Sequence, residues 1–122
     1  MKMLLLDVKN DKVEVVDAKG LQDYYKHIGC EIIEVCYHYI GSRPYCIICD
    51  NEGLLKEERI VSARDIYFEP KLVGNLLICG DETINEDFSP LTDDDVEYIK
   101  GWVTHLTELE SGIRRRTLII TK

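Results

Sequence analysis

The residues that could carry out chemistry are few, and their spacing fits none of the common catalytic patterns. Cys36 and His38 have the same parity in a β-rich stretch, so a strand would hold their side chains on one face, roughly 6–7 Å apart. That separation is too large for the imidazole to activate the thiol. The sequence also lacks Gly-x-Ser-x-Gly, Gly-x-x-x-x-Gly-Lys and His-Glu-x-x-His, the usual markers of acyl transfer, phosphoryl transfer and zinc hydrolysis. We therefore predict no catalytic residues, no cofactor and no enzyme activity, and rank an enzyme of unknown class third among the functions.

Five cysteines are spread over apolar stretches, and the closest pair, Cys46 and Cys49, brackets two isoleucines. A Cys-x-x-Cys pair ligates zinc or does redox chemistry when it lies on a tight turn and further ligands complete the site. In a strand, residues three apart point to opposite faces, and the sequence has no second closely spaced pair. We predict that all five thiols are reduced, unpaired and metal-free, with core packing as their role and metal binding or redox chemistry as alternatives.

Negative charge is concentrated in one segment. Eight acids and no base lie from Asp81 to Glu97, whereas the rest of the chain holds 15 acids and 15 bases. The segment does not match an EF-hand loop, because Glu86 occupies the position that requires glycine and Thr92 the position that requires a bidentate glutamate. We predict that this acidic surface binds a basic host protein, with solubility and helix capping as the alternative. The acids assigned to the contact are Asp81, Glu82, Glu86 and Asp87.

A second candidate surface combines aromatic and basic side chains around one predicted turn. Tyrosines flank Gly41-Ser42-Arg43-Pro44 on both sides, and arginine guanidinium groups can pair with the phosphate of a nucleotide-type ligand. Cross-strand aromatic pairing is the alternative reason for the tyrosines. The residues of this predicted small-molecule pocket are Tyr37, Tyr39, Arg43, Tyr45 and Arg64.

Composition restricts the class of protein further. The net charge of −8 and the pI of about 4.8 disfavour direct binding to nucleic acid, which depends on neutralising phosphates. The apolar runs are too short to span a bilayer, and Asp7 interrupts the stretch that resembles the start of a signal peptide. We expect a soluble cytoplasmic protein with no membrane contact, folded as a single domain over residues 1–122.

Hydrophobic periodicity predicts an α+β domain in which two helices pack on a mixed or largely antiparallel sheet. A short amphipathic helix is expected from Leu21 to Ile28, because apolar residues recur at helical spacing and Gly29 follows as a stop. The predicted strands are residues 3–7 and 13–16, which form an N-terminal hairpin, and then residues 31–40, 45–49, 72–79 and 117–121.

The strongest helix start in the sequence is Thr92 followed by three aspartates. A threonine hydroxyl can accept a hydrogen bond from an orphan N–H, and carboxylates in the first turn complement the helix dipole. We predict one long C-terminal helix that continues to Gly112 and ends just before the arginines at 114–116. Its apolar face is predicted to contain Val96, Ile99, Val103 and Leu106.

The order of three sequence pieces resembles a known family. They are the charged turn Cys49-Asp50-Asn51-Glu52-Gly53, the apolar strand Leu76-Leu77-Ile78-Cys79-Gly80 and the segment Glu86-Asp87-Phe88-Ser89-Pro90-Leu91-Thr92-Asp93-Asp94-Asp95. From Gly29 to Trp102 the chain is similar to an uncharacterised domain family of phages and Gram-positive mobile elements. Members typically have an Asn-Arg pair where this chain has Ala63-Arg64. The resemblance implies a small accessory protein of such an element and carries over no activity.

Overall fold

The computed structural model describes residues 1–52, 60–80, 88–107 and 112–122, which form two helices and nine strands. In chain order these are β1 (Lys2–Asp7), β2 (Lys12–Asp17), α1 (Leu21–Ile28), β3 (Ile33–Ile40), β4 (Arg43–Asp50), β5 (Val61–Arg64), β6 (Pro70–Val73), β7 (Leu76–Gly80), α2 (Asp93–Lys100), β8 (Val103–Thr107) and β9 (Arg114–Ile119). Neither of these helices has the length and apolar character needed to cross a membrane.

The larger sheet is antiparallel throughout and has five strands in the order β2-β1-β7-β4-β3. Its three central strands are apolar runs of the sequence, and they are buried on both faces. Along β4, Tyr45 and Ile47 belong to one core cluster, whereas Cys46 and Ile48 belong to another. Each central strand therefore supplies side chains to two packed layers.

The smaller sheet has four strands in the order β6-β5-β9-β8, with β5 and β9 parallel and the other pairs antiparallel. Ala63 and Leu118 of this sheet are fully buried in the same core cluster as Ile47 and Ile78 of the larger sheet. Helix α2 adds Ile99 to that cluster. The two sheets and α2 therefore share one core.

Helix α1 covers the other face of the larger sheet. Its buried residues Tyr24 and Ile28 pack in the second cluster with Cys46 and Ile48. Gly29 ends the helix in the left-handed conformation, with φ of 77°, and its N–H donates to the Tyr25 carbonyl at 2.8 Å. The predicted helix and its glycine stop are confirmed, as are the α+β class and the N-terminal hairpin of β1 and β2.

The prediction of a long C-terminal helix is wrong. Helix α2 has eight residues and ends at Gly101, after which the chain forms β8. Residues 103–107 contain three β-branched residues and pair antiparallel with β9, which satisfies backbone groups that a longer helix would have bonded internally. Val103 and Leu106 are half-buried strand residues and do not extend the helix face. The arginines at 114–116 are the first residues of β9.

The predicted strand at 72–79 is interrupted in the structure. Gly74, with φ of 78°, and Asn75 separate β6 from β7, and the two strands lie in different sheets. The buried Asn75 amide secures the break, because its oxygen accepts from the Val8 N–H and its nitrogen donates to the His27 carbonyl, both at 3.0 Å. A glycine with positive φ and a buried, hydrogen-bonded polar side chain thus divide one apolar run into two strands.

Replacing Ile99 with alanine should lower the free energy of unfolding by about 2–5 kcal/mol, because its fully buried side chain lies in the core shared by both sheets. Ile32→Ala is the matched control at a half-exposed side chain, where the change should stay near about 0.5 kcal/mol. Urea denaturation of the two variants measures the difference. Equal effects would contradict the placement of α2 against the core.

Candidate functional site

Exposed apolar side chains concentrate in the connection between β5 and β6. Ile66, Tyr67 and Phe68 follow one another in the chain and are 54%, 80% and 56% exposed. We call residues 65–69 the aromatic turn. Single exposed apolar residues are common on protein surfaces, but three large ones in sequence on one projecting turn are typical of an interaction site.

The backbone of the aromatic turn has a defined geometry. The Phe68 N–H donates to the Asp65 carbonyl at 2.9 Å, and the Asp65 N–H donates to the Glu69 carbonyl at 3.0 Å. These bonds close a three-residue hairpin loop, residues 66–68, whose third residue is left-handed. Phe68 has a φ of 65° at this position, where glycine is the usual residue. The turn therefore holds Phe68, a bulky aromatic residue, in a backbone conformation that is unfavourable for residues other than glycine.

Side chains at the base fix the turn in place. One Asp65 carboxylate oxygen accepts from the N–H groups of Tyr67 at 2.8 Å and Glu69 at 3.0 Å, and Lys71 lies 3.6 Å from the other. Arg64 donates to the Phe68 carbonyl at 2.8 Å. Desolvation raises the pKa of Asp65, but the two N–H groups and Lys71 outweigh it and hold the pKa below its ordinary value. The exposed side chains are thus presented by a preorganised backbone.

A groove of about 350 Å³ lies beside the aromatic turn, where the C-terminal segment meets β3. Tyr39 exchanges backbone hydrogen bonds with Thr121 and Lys122, and His38 Nδ1 is 3.0 Å from the Lys122 carbonyl. The residues that line the groove are His38, Asp65, Ile66, Tyr67, Lys71, Ile120, Thr121 and Lys122. The lining is largely apolar and also contains Lys122 and the ion pair of Lys71 with Asp65, so it can accept an apolar side chain or a small polar ligand.

The residues of the predicted small-molecule pocket do not come together. Arg43 and Tyr45 are on the face of β4 that points to the shared core, whereas Tyr37 and Tyr39 pair with Cys46 and Pro44 and so lie on the opposite face. Arg64 belongs to the smaller sheet and holds the aromatic turn.

Arg43 and Tyr45 instead attach helix α2 to the larger sheet. The Arg43 guanidinium lies 2.9 Å from an Asp94 carboxylate oxygen and 3.4 Å from one of Asp95, and its central carbon is 4.0 Å above the Tyr98 ring. The Tyr45 hydroxyl donates to Asp95 at 2.8 Å. Burial, followed by this bond to Asp95, raises the pKa of Tyr45 to about 12. An anionic ligand at Arg43 would have to displace two carboxylates.

The acidic segment is described only in part, and the predicted contact residues Asp81, Glu82, Glu86 and Asp87 lie outside the described residues. The acids of α2 have partners within the chain: Asp93 is paired with Lys2, and Asp94 is paired with Arg43. Thr92 and Asp95 form a reciprocal capping box, so the predicted helix start is confirmed.

None of the five cysteines forms a disulfide, and one proximity was not anticipated from the sequence. Cys46 and Cys49 lie in different core clusters, on opposite faces as predicted. Cys36 Sγ, however, is 4.0 Å from Cys49 Sγ, and the Glu34 carboxylate is close to both. Burial raises the pKa of both thiols, so neither is an activated nucleophile at neutral pH. The register of the β3–β4 hairpin was the signal that could have revealed this cluster.

Phe68→Gly should raise the free energy of unfolding by about 1 kcal/mol, because glycine removes a backbone penalty of about 1–3 kcal/mol at the cost of some chain entropy. Tyr67→Gly is the matched control at a residue without positive φ, and it should lower the free energy by about 0.5–1 kcal/mol. Thermal and urea denaturation give both values. If both variants are destabilised equally, the turn is not strained at Phe68.

Asp95→Asn should remove a contribution to the free energy of unfolding that the wild type has at neutral pH and loses in acid. Desolvation raises the pKa of Asp95, but hydrogen bonds from Tyr45 and Thr92 and the charge of Arg43 outweigh it and hold the pKa below 3.8. A carboxyl with a lowered pKa in the folded state contributes stability above about pH 4, and that contribution is lost as the pH falls through the folded-state pKa. Urea denaturation from neutral to acid pH should therefore show a shallower decline for Asp95→Asn.

The matched control for this experiment is Asp94→Asn, which removes a neighbouring, more exposed carboxylate and retains that of Asp95. Its stability should decline toward acid pH as the wild type does. Identical pH profiles for Asp95→Asn and the wild type would show that the capping box and the bond from Tyr45 do not stabilise the fold.

The sequence pattern of one family matches the chain over residues 1–104, under the description Domain of unknown function (DUF3846). The match contains the stretch from Gly29 to Trp102 on which the resemblance rested, and it adds the N-terminal hairpin and α1. No curated protein and no solved structure matches the chain. With most of its length matched, including the aromatic turn and the capping box of α2, the chain belongs to the family of the domain of unknown function DUF3846.

Proposed function

We propose that this chain is a binding module that performs no chemistry and that it uses the aromatic turn to bind a protein. The observation that carries the proposal is Phe68, a bulky residue with a φ of 65° whose side chain is 56% exposed. Strain in the backbone is kept where the rest of the structure imposes it, and it concentrates at functional sites. An exposed aromatic gains little for its own fold, so a contact outside the chain accounts for it best.

The aromatic turn also has the energetic properties of a binding anchor. Burying a large apolar side chain such as Tyr67 contributes about 1.5–3 kcal/mol, and aromatic side chains are enriched among the residues that dominate interfaces. Because the bonds of Asp65 and Arg64 hold the turn before a partner arrives, little conformational entropy is lost on binding.

The negative charge of the chain favours a partner with a basic surface. The excess of eight negative charges lies in the segment from Asp81 to Glu97, where it can steer a basic surface toward the chain over a distance of about 8 Å at physiological salt. We propose a host protein with basic residues around an apolar pocket as the partner. The chain would then act as a small accessory protein of a phage or mobile element.

The groove beside the aromatic turn supports a second candidate function, the binding of a small nucleotide-type molecule. Its volume of about 350 Å³ is at the lower end of the range of small-molecule sites, and Lys122 lines it together with Lys71 and the Asp65 carboxylate that pairs with Lys71. This candidate keeps the ligand class predicted from the sequence but moves it to another place. The groove is lined by Lys71, Lys122 and His38, whereas the pocket predicted from the sequence contained Arg43 and Arg64.

Tyr67→Ala should abolish retention of the partner in affinity purification from host cells and, with the partner identified, should weaken the dissociation constant by about 30-fold or more. Tyr37→Ala is the matched control, since Tyr37 is similarly exposed but lies on β3. Isothermal titration calorimetry on the purified pair measures the change. If Tyr67→Ala binds as the wild type does, the aromatic turn is not the interface.

Neutralising four acids tests the electrostatic part separately. Replacing Asp81 and Asp87 with asparagine and Glu82 and Glu86 with glutamine should slow association and flatten its dependence on salt, with little change in the dissociation rate. Stopped-flow measurements at low and high salt give both rates. An unchanged salt dependence would remove the acidic segment from the proposal and leave the aromatic turn.

A panel of nucleotides and thermal denaturation tests the second candidate. A ligand present at 100 times its dissociation constant adds about 2.7 kcal/mol to the free energy of unfolding, which gives a clear rise in melting temperature. The rise should be lost in Lys122→Ala and kept in Arg43→Ala, because only the first residue lines the groove. No rise with any nucleotide would eliminate this candidate.

A further inference from the structure

Two thiols and one carboxylate converge on the β3–β4 hairpin. One ligand atom from each of Glu34, Cys36 and Cys49 lies within 4.8 Å of the other two. We propose that these three side chains bind a zinc ion and leave the fourth position of a tetrahedral site to a water molecule. This site is separate from the aromatic turn and independent of the function proposed for it.

The hairpin register explains why the three side chains meet. Glu34 lies directly opposite Cys49, and Cys36 lies opposite Ile47, so Cys36 is the diagonal neighbour of Cys49 on the same face. All three candidate ligands are on strands and none is on a loop. Ligands on paired strands are held in a precise relative position, as a metal site requires.

The distance between the sulfur atoms fits zinc. Cys36 Sγ and Cys49 Sγ are 4.0 Å apart. Two thiolates bound at about 2.3 Å in a tetrahedral arrangement are about 3.8 Å apart. The ion can therefore enter between the two sulfur atoms with a shift of a few tenths of an ångström. Glu34 is exposed, so its carboxylate is able to rotate onto the ion.

The same geometry disfavours a disulfide between the two cysteines. A disulfide needs Cβ atoms about 3.5–4.5 Å apart, whereas diagonal positions on paired strands hold them about 7–8 Å apart or somewhat less. Oxidation would require the hairpin backbone to move. Zinc binding leaves the backbone of Cys36 and Cys49 where it is.

The ligand types select the metal. Thiolate ligands favour zinc over magnesium and calcium, which take oxygen ligands, and zinc also accepts a carboxylate oxygen. Cys49 is buried and Cys36 is half-buried, whereas Glu34 is exposed. The ion would thus have protein on its sulfur side and solvent on its carboxylate side, where the fourth position is open to water.

Zinc titration of the full, reduced, chelator-treated chain tests the proposal. Competition with a chromophoric chelator should give one zinc ion per chain, and cobalt(II) should give thiolate-to-metal charge-transfer absorption. Cys36→Ser and Cys49→Ala should each weaken zinc binding by at least about 100-fold, since even the loss of a residue that only supports a ligand costs about 10–100-fold. Glu34→Gln should weaken it by about 10–100-fold and should keep the charge-transfer absorption.

Cys46→Ala is the matched control, because Cys46 is a buried cysteine of the same strand on the opposite face. It should bind zinc as the wild type does. If Cys49→Ala fails to fold, Cys36→Ser and Glu34→Gln, at more accessible positions, carry the test. Wild-type protein without stoichiometric zinc overturns the proposal, as does an equal loss of affinity in Cys46→Ala. Wild-type protein that binds no zinc but loses two daltons on mild oxidation would identify a redox pair instead.

Discussion

The register between β3 and β4 is the constraint on which the rest of the structure depends. A two-residue turn joins the strands, and its first residue, Gly41, has a φ of 65°, as a tight hairpin turn of this hand requires. A Cβ atom at Gly41 would collide with the side chains of Tyr98 and Trp102, so the position also lacks room for any other residue. Because side chains alternate along a strand, a slip of one residue would exchange the side chains that β4 supplies to the two core clusters.

Helix α2 secures that register from outside the hairpin. The Tyr98 hydroxyl accepts from the Ser42 N–H at 2.9 Å, at the turn itself. Asp95 accepts both from its own helix cap and from Tyr45 of β4, so one carboxylate starts the helix and attaches it to the sheet. For the three aspartates at 93–95, capping of α2 and its attachment to the larger sheet explain the negative charge. Any role in binding falls to the acids that precede the helix.

The sequence allowed the local elements to be predicted where a single physical signal determined them. The N-terminal hairpin, α1 with its Gly29 stop and the cap at Thr92 all followed from residue type and spacing. The prediction of a long helix failed because valines and leucines at helical spacing also suit a strand. Residues 103–107 form a strand because they pair with β9, and the hydrophobic periodicity of the segment does not reveal that partner. The break at Asn75 depends on partners at Val8, just after β1, and at His27 in α1, and it has no local signal apart from Gly74.

The candidate sites were harder to predict for a related reason. Pairing of Tyr37 with Cys46 and of Tyr39 with Pro44 separates residues that lie close together in the chain, and the same register unites Glu34 with Cys49. A prediction of these sites therefore required the exact length of the turn at Gly41, since a four-residue turn would have paired Cys36 with Cys49 directly.

The aromatic turn gives a different kind of information, because local rules disagree with the residue found. A left-handed third position in a three-residue hairpin favours glycine, and a solvent-facing turn favours polar side chains, yet Phe68 satisfies neither preference. Natural sequences violate such rules mainly where function requires it, since selection for stability alone would replace the residue. In the β3–β4 hairpin, by contrast, glycine, cap and ion pairs all favour the same structure. The conflict at Phe68 is therefore the physical argument for the binding role proposed for the aromatic turn.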